Sequence, residues 1–509
     1  MLDNLKQFLI SHISKNYILY SFLVILVAIL PTGSLSGNEE MYYGLAKKFL
    51  DEAWNGDYSS FLLSGDYRFL SDFLIGTMIK LLGFENTQII GSFIASALYT
   101  YAIYKIFKEL SLDDINGILI LIIFILLGQS FIGREWLFED FEAKIFSYFF
   151  VLLGLHQYLK GNFFKLSINL SMATYFHLLV GASWFVLLFT TLLFTEKRHF
   201  NVIKNSFYYF LFSFPIIFIA YLGFMGSTFV QDPNLPSPDY IYSYIRQYKM
   251  VLPFYSLSSF VITWLPGILI YFGFLLSIVF IRRDKDIFLE KLFYIILTSS
   301  FALFGLIFLS FFDVDGFLGK FYPFRFASLL LLIFIIFYAR YLLLYFNNFS
   351  RSLSFSVLLI LSPFFFIKAS INAVGELQDV YFENKNKINL YEFVEENTNP
   401  SHIILIDPRL EEIFFDFERK LNRPTLVTFK YIPSSKEGLI EWYKRREFKT
   451  KIFNGDFEII HQFPFHYLLL KKDKEMPHLT SSFNKVFENQ EFYLLQYKAA
   501  IQKSSIKME

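Results

Sequence analysis

Two short runs of this chain carry carboxylates at a density that invites chemistry. The first is Asn38-Glu39-Glu40, with Tyr43 following, inside the polar stretch 33–48, GSLSGNEEMYYGLAKK. The second, 133–142, reads GREWLFEDFE and runs directly into Ala143-Lys144, so that Glu135, Glu139, Asp140 and Glu142 crowd one short loop. Both runs adjoin apolar segments, where carboxylates are costly unless they face water, a cation or one another. Ordinary solvated loop acids are the plain alternative for either run, and two runs on one face favour a shared purpose. Transfer of a group from a phosphate carrier to a hydroxyl needs a carboxylate to take the acceptor's proton and a cation to neutralise the departing phosphate. Glu39 is the candidate base. The second loop either holds a divalent cation such as Mg or Mn through oxygen ligands, with Glu39, Asp140 and Glu142 as candidates, or pairs with Lys144 and Arg134 and needs no metal.

The cations that could meet a phosphate on the same face are Arg68, Arg134, Lys144, Arg246, Lys249, Lys320 and Arg325. Arg325, in the run KFYPFRF, stands at the start of an apolar segment, where a buried guanidinium needs an anion and a lipid phosphate suits it; snorkelling to the interface is the bland account. His177 interrupts the apolar stretch 164–195. An ionisable group there marks either function or a hydrogen-bonded structural histidine.

These residues need a scaffold, and composition says which kind. Apolar residues make up 55% of the chain and charged residues 18%, which places it among polytopic membrane proteins. A net charge of +1 with singly scattered basic residues gives no case for nucleic-acid binding. Cysteine is absent, which removes disulfides and thiolate metal sites. The 68 Phe and 33 Tyr read as lipid-facing bulk and interfacial anchors. Apolar runs of spanning length fall near 15–32, 89–109, 115–132, 143–160, 203–224, 258–281, 288–312, 327–346 and 353–370. Splitting 164–195 in two at His177 brings the expected total to about eleven transmembrane helices. The segment 68–84 carries Arg68, Asp72 and Lys80 and is expected to lie along the interface. With that placement the basic loops around Lys105, Lys160, Lys197, Arg282 and Arg340 fall on the N-terminal side, which the positive-inside rule makes cytoplasmic. Residues 1–370 then form an all-α polytopic membrane domain with acidic extracytoplasmic loops 33–88 and 133–142. From about 371 polar residues rise, and strand-like runs at 402–406, 425–429, 467–471 and 492–497 alternate with helical ones at 389–396 and 436–447. Residues 371–509 are therefore expected to be a small extracytoplasmic α/β domain.

With these features in hand, the chain resembles the GT-C superfamily of polytopic glycosyltransferases, in an uncharacterised bacterial branch. Members show an acidic pair in the first extracytoplasmic loop, then Tyr and Ala at successive three-residue steps. The matching run here is Glu39-Glu40-Met-Tyr-Tyr43-Gly-Leu-Ala46. The stretches 138–148 and 423–433 are also similar to that branch. The resemblance implies transfer of a sugar from a polyprenyl-phosphate donor to a glycan, lipid or protein acceptor on the outer face of a bacterial inner membrane. In it Glu39 is the catalytic acid-base position, supported by Glu40 and Tyr43. Arg68, Glu139, Asp140, Glu142, Lys144, His177 and Arg325 are the candidate substrate-binding residues. A polymerase or ligase moving a whole glycan would use the same residues, and a transporter or flippase for lipid-linked glycans is the alternative from a different class.

Overall fold

A computed structural model describes residues 2–30, 35–63, 68–133, 135–225, 232–246, 258, 260–281, 286–345, 351–381, 385–472 and 482–498. Of the residues named above, 31–34, Arg134, Lys249 and Arg282 lie outside these. The chain divides into two compact units.

The first unit comprises 1–31, 88–220 and 242–374 and is helical. Its elements are α1 (Leu2–Lys15), α2 (Tyr17–Ile29), α5 (Phe84–Glu109), α6 (Asp114–Leu126), α7 (Ala143–Lys160), α8 (Phe163–Phe176), α9 (Leu178–Thr195), α10 (His199–Met225), α11 (Leu265–Val279), α12 (Ile287–Ser310), α13 (Ala327–Tyr345) and α14 (Arg351–Tyr381). The expected apolar runs thus become helices, and 164–195 breaks at His177 as its sequence suggested. The count of eleven spans is not matched by length and apolarity. Six helices among the described residues are long and apolar enough to cross a membrane, or seven if α1 and α2, bent by 80° at Asn16, make one broken span. The shortfall has local causes. α6 stops after Leu126 because Gly128 and Gln129 both take positive φ (79° and 64°), and α7 carries Lys144, His156 and Lys160. α6 and the first half of α13 are buried on every side and form the core. α10 instead turns Phe200, Ile203, Phe207 and Phe214 outward, a face suited to lipid.

The second unit comprises 32–87, 221–241 and 375–509. It holds α3 (Gly37–Leu50), α4 (Phe69–Leu82), α15 (Lys385–Asn397), α16 (Phe417–Leu421) and α17 (Lys436–Phe453). Its four-stranded sheet has the order β1 (Ile404–Ile406), β2 (Tyr467–Lys471), β4 (Phe492–Tyr497), β3 (Phe483–Glu488). β1 runs parallel to β2, and the other pairs are antiparallel. Alternation along the strands feeds two cores. Ile404, Ile406, Leu469 and Leu494 pack with Leu390 and Val394 of α15, and Leu405, Leu468, Leu470 and Leu495 pack with Phe448 and Ile452 of α17.

One expected strand is not formed. Residues 425–429 make a single bridge, Thr425 to Ile404, and leave the sheet. The carbonyls of Leu426, Val427 and Thr428 are taken by the Arg445, Lys449 and Trp442 side chains of α17, so no neighbouring strand receives them.

Candidate functional site

In the first unit the acidic loop between α6 and α7 is a built structure. Gln129 accepts from the Leu137 and Phe138 amides (3.0 and 2.6 Å) and donates to the Phe138 carbonyl (2.8 Å), closing the loop on itself. The Phe138 ring then seats edge-on against Tyr99 and Phe124, with centroids 5.2 and 5.5 Å away. Phe141 lies so close over Gly91 of α5 that a β-carbon there would stand 2.1 Å from its ring. The loop's last residue, Glu142, is the N-cap of α7 and is fully buried.

Lys144, the second residue of α7, sits between two carboxylates: its Nζ is 3.2 Å from Glu135 Oε1 and 3.2 Å from Glu142 Oε1. Its ammonium also lies 3.9 Å from the centroid of the Trp136 ring. All three charged side chains are at least nine-tenths buried. Arg325, from the turn before α13, brings Nη1 to 4.0 Å from Glu135 Oε1 and 3.3 Å from His177 Nε2. Arginine only donates, so that imidazole nitrogen accepts. Tyr148 fixes the turn: its single O–H goes to the Arg325 carbonyl at 2.9 Å, and Glu135 lies farther, at 3.5 Å. The guanidinium stacks 4.3 Å above the Tyr322 ring, on a residue whose φ of 47° bends the chain toward the cluster.

The energetics are those of ions removed from water. Burial raises the Glu142 carboxyl above its ordinary range; Lys144 opposes that, and Asp140 and Glu135 reinforce it. Two cations, Lys144 and Arg325, thus meet at Glu135, and Lys144 is also paired with Glu142, in a site largely removed from water.

Of the residues singled out in sequence, this unit brings together Glu142, Lys144, Arg325 and His177. Asp140 is half-buried beside them and Glu139 is exposed. The hub, Glu135, stood in the acidic run without an assigned role, and neither Tyr148 nor Gln129 was assigned one.

In the second unit the motif residues open α3. Ser36 caps the helix, its hydroxyl accepting from the Glu39 amide (3.2 Å) while Glu39 Oε2 accepts from the Ser36 amide (3.1 Å). The cap engages one of the carboxylate's acceptor sites. Glu40 is gripped by Arg419 Nε at 2.8 and 2.9 Å and by its Nη2 at 2.8 Å, and the same guanidinium reaches Glu85 at 2.7 Å. Burial pushes the Glu40 carboxyl up to about 7, against the pull of Arg419. Tyr43 is fully buried, and Arg68 lies 4.5 Å above the Tyr42 ring. Arg419 lies 379 residues from Glu40, and no spacing pointed to it. Among the described residues no group of three or more His, Asp or Glu side chains is arranged to hold a metal ion.

A family described as a domain of unknown function (DUF6798) matches residues 385–447, within the second unit. No curated protein matches the chain. Among solved structures, the crystal structure of ArnT from Cupriavidus metallidurans in the apo state is similar over 95% of this chain and 98% of that one, with 11% identity and a TM-score of 0.49.

Proposed function

We propose that this chain is an integral membrane glycosyltransferase of the GT-C kind, which moves a sugar from a polyprenyl-phosphate donor to an acceptor at the outer face of a bacterial inner membrane. The observation that carries the reading is the meeting of two cations, buried Lys144 and part-buried Arg325, at one carboxylate, Glu135, with Lys144 also paired with Glu142. In this reading the two cations hold the donor phosphate and offset the charge that grows on it as the glycosidic bond breaks. His177 and Tyr148 hold Arg325 in place for that purpose. Glu39 takes the acceptor's proton, as the motif around it implies; Glu40, locked to Arg419, and buried Tyr43 fix the start of its helix. Asp140 and Glu142 position the acceptor, with a divalent cation where one is bound. The end of the first unit that gathers Lys160 and Arg340 is the cytoplasmic one, by the positive-inside rule.

The test is transfer itself. Purified protein in vesicles is offered a radiolabelled polyprenyl-phosphate sugar and a mixed acceptor pool from bacterial envelopes. Transfer by the parent protein, with a loss of about a hundredfold or more in Glu39→Gln at unchanged thermal stability, supports the assignment. Label that only changes leaflet identifies a flippase, and Glu39→Gln at the parental rate removes Glu39 from the chemistry.

A further inference from the structure

The second unit contains a cleft of about 670 Å³ lined by none of the residues assigned above to transfer. One wall is the 428–431 loop, and the others come from the chain after β1, from Arg446 of α17 and from Gly37, the first residue of α3. The walls are held from behind. Tyr431 donates to the Phe415 carbonyl (3.0 Å), Trp442 to the Thr428 carbonyl (2.9 Å), and the Phe429 amide to Glu411 Oε2 (3.1 Å). Such a cleft loses little freedom when it is filled.

Its chemistry has two parts. Glu411 is answered twice, by Arg446 and by the buried Lys449, and Arg409 is matched by Asp407. Lys430, whose Nζ donates to the neutral Asn38 amide at 2.6 Å, adds a further cation to the wall. With Glu412 included, cations outnumber carboxylates by one, and the N-terminus of α3 adds partial positive charge at Gly37. Beside these stand the half-buried rings of Phe415 and Phe429, the latter with the Arg446 guanidinium 5.2 Å from its centroid. Apolar ring surface next to a planar donor fork and carboxylate acceptors is what a sugar ring bearing an anionic substituent requires: C–H faces for the rings, hydroxyls for Glu412, and a carboxylate or phosphate for Arg446 and Lys430. We propose that this cleft binds an anionic saccharide segment of two to three residues. The proposal does not depend on the transfer reaction.

The experiment is a calorimetric titration of the full-length protein in detergent with tri-galacturonic acid, with a neutral trisaccharide of the same length, and with inorganic phosphate. We expect saturable binding of the acid that weakens as salt rises, and at least tenfold weaker binding of the neutral sugar and of phosphate. Arg446→Lys, which keeps the charge and loses the fork, and Lys430→Met are each expected to cost tenfold or more in affinity for the acid. Both variants are to melt within a degree or two of the parent, and Arg409→Gln, on the exposed rim, serves as a third variant should Arg446→Lys fail to fold. No binding of the acid, equal binding of the neutral sugar, phosphate binding as tight as the acid, or variants with parental affinity would each overturn the proposal. None of these results would bear on transfer of the labelled donor, which is read separately.

Discussion

The sharpest consequence of the Glu135–Lys144–Glu142 cluster is an asymmetry between removing its cation and removing one of its anions. At 3.2 Å and an effective dielectric of about 20, each Lys144–carboxylate contact is worth roughly 5 kcal/mol of Coulomb energy. Glu142→Gln forfeits one such contact and at the same time relieves the several kcal/mol that desolvation charges to a fully buried carboxylate. The two terms nearly cancel, and a net change within about 1–2 kcal/mol is expected. Lys144→Met forfeits both contacts and leaves two buried carboxylates facing each other, which is expected to cost about 3–5 kcal/mol. The double variant restores the balance, because Glu135 keeps Arg325 at 4.0 Å and no second carboxylate remains opposite it. It is therefore expected to be more stable than Lys144→Met alone, with a coupling of about 1–3 kcal/mol. The assay is thermal unfolding of the four proteins in one detergent, read as a rank order. The reasoning is refuted if Lys144→Met melts no lower than Glu142→Gln, or if adding Glu142→Gln to Lys144→Met lowers the melting point further.

Two further expectations follow from contacts elsewhere. Gln129→Ala removes the three hydrogen bonds that close the 129–138 loop and leaves two part-buried amides without their acceptor; it is expected to cost about 2–4 kcal/mol and to lower transfer more than Ser130→Ala, measured by melting and by the labelled-donor assay. His466, stacked 4.6 Å from His402 and accepting from the Ile403 amide, has its imidazole pushed down to about 4 by burial and then by His402. A base depressed in the folded state binds fewer protons there than in the unfolded chain. Its contribution is therefore complete above about pH 6.5 and is lost as pH falls toward 4. The full shift would be worth roughly 3 kcal/mol; because the ring is only half-buried, solvent screening reduces that to about 1–2 kcal/mol. The second unit should melt lower at pH 5 than at pH 7.5, and His466→Gln should flatten that dependence; a slope identical to the parent's would refute the assignment.

How far the sequence disclosed this structure depends on the range of the interaction in question. The helices of the first unit from α2 on were legible because each follows from its own apolar run, and the break at His177 from a polar residue inside one, whereas α1 was not anticipated and 37–50, expected as part of a loop, is the capped helix α3. β2 and β4 were legible from compact apolar runs, whereas β3, FNKVFE, hides as an edge strand with Lys485 and Glu488 on it. The 425–429 run looked like a strand because its residues favour one. It fails because α17 claims its carbonyls, and that helix is a partner the run itself does not announce. The same holds at the site. Glu142 and Lys144 were visible as neighbours in the chain, while the meeting of His177 with Arg325, 148 residues apart, is decided by how helices pack. Glu39 and Glu40 were legible as a pair, yet their divergent uses, one closing a helix cap and the other held by a distant arginine, were not.

The charge pattern along α7 bears on what this helix does. Lys144 anchors the Glu135–Glu142 cluster in its first turn, and His156 and Lys160 in its last turns face Glu109 at 3.5 and 3.9 Å. Near that second end Arg340 bonds both Asp286 and the Leu110 carbonyl (2.6 Å each), and Lys291 bonds the Leu159 carbonyl (2.6 Å). Sixteen residues separate Lys144 from Lys160, or about 24 Å of helix, close to the thickness of a hydrocarbon core. Between the two clusters α7 presents only uncharged side chains, from Ile145 to Leu155. The charges of α7 thus stand at its two ends, each met by partners from outside the helix, and its uncharged middle separates the Glu135–Lys144–Glu142 cluster from the one at Glu109.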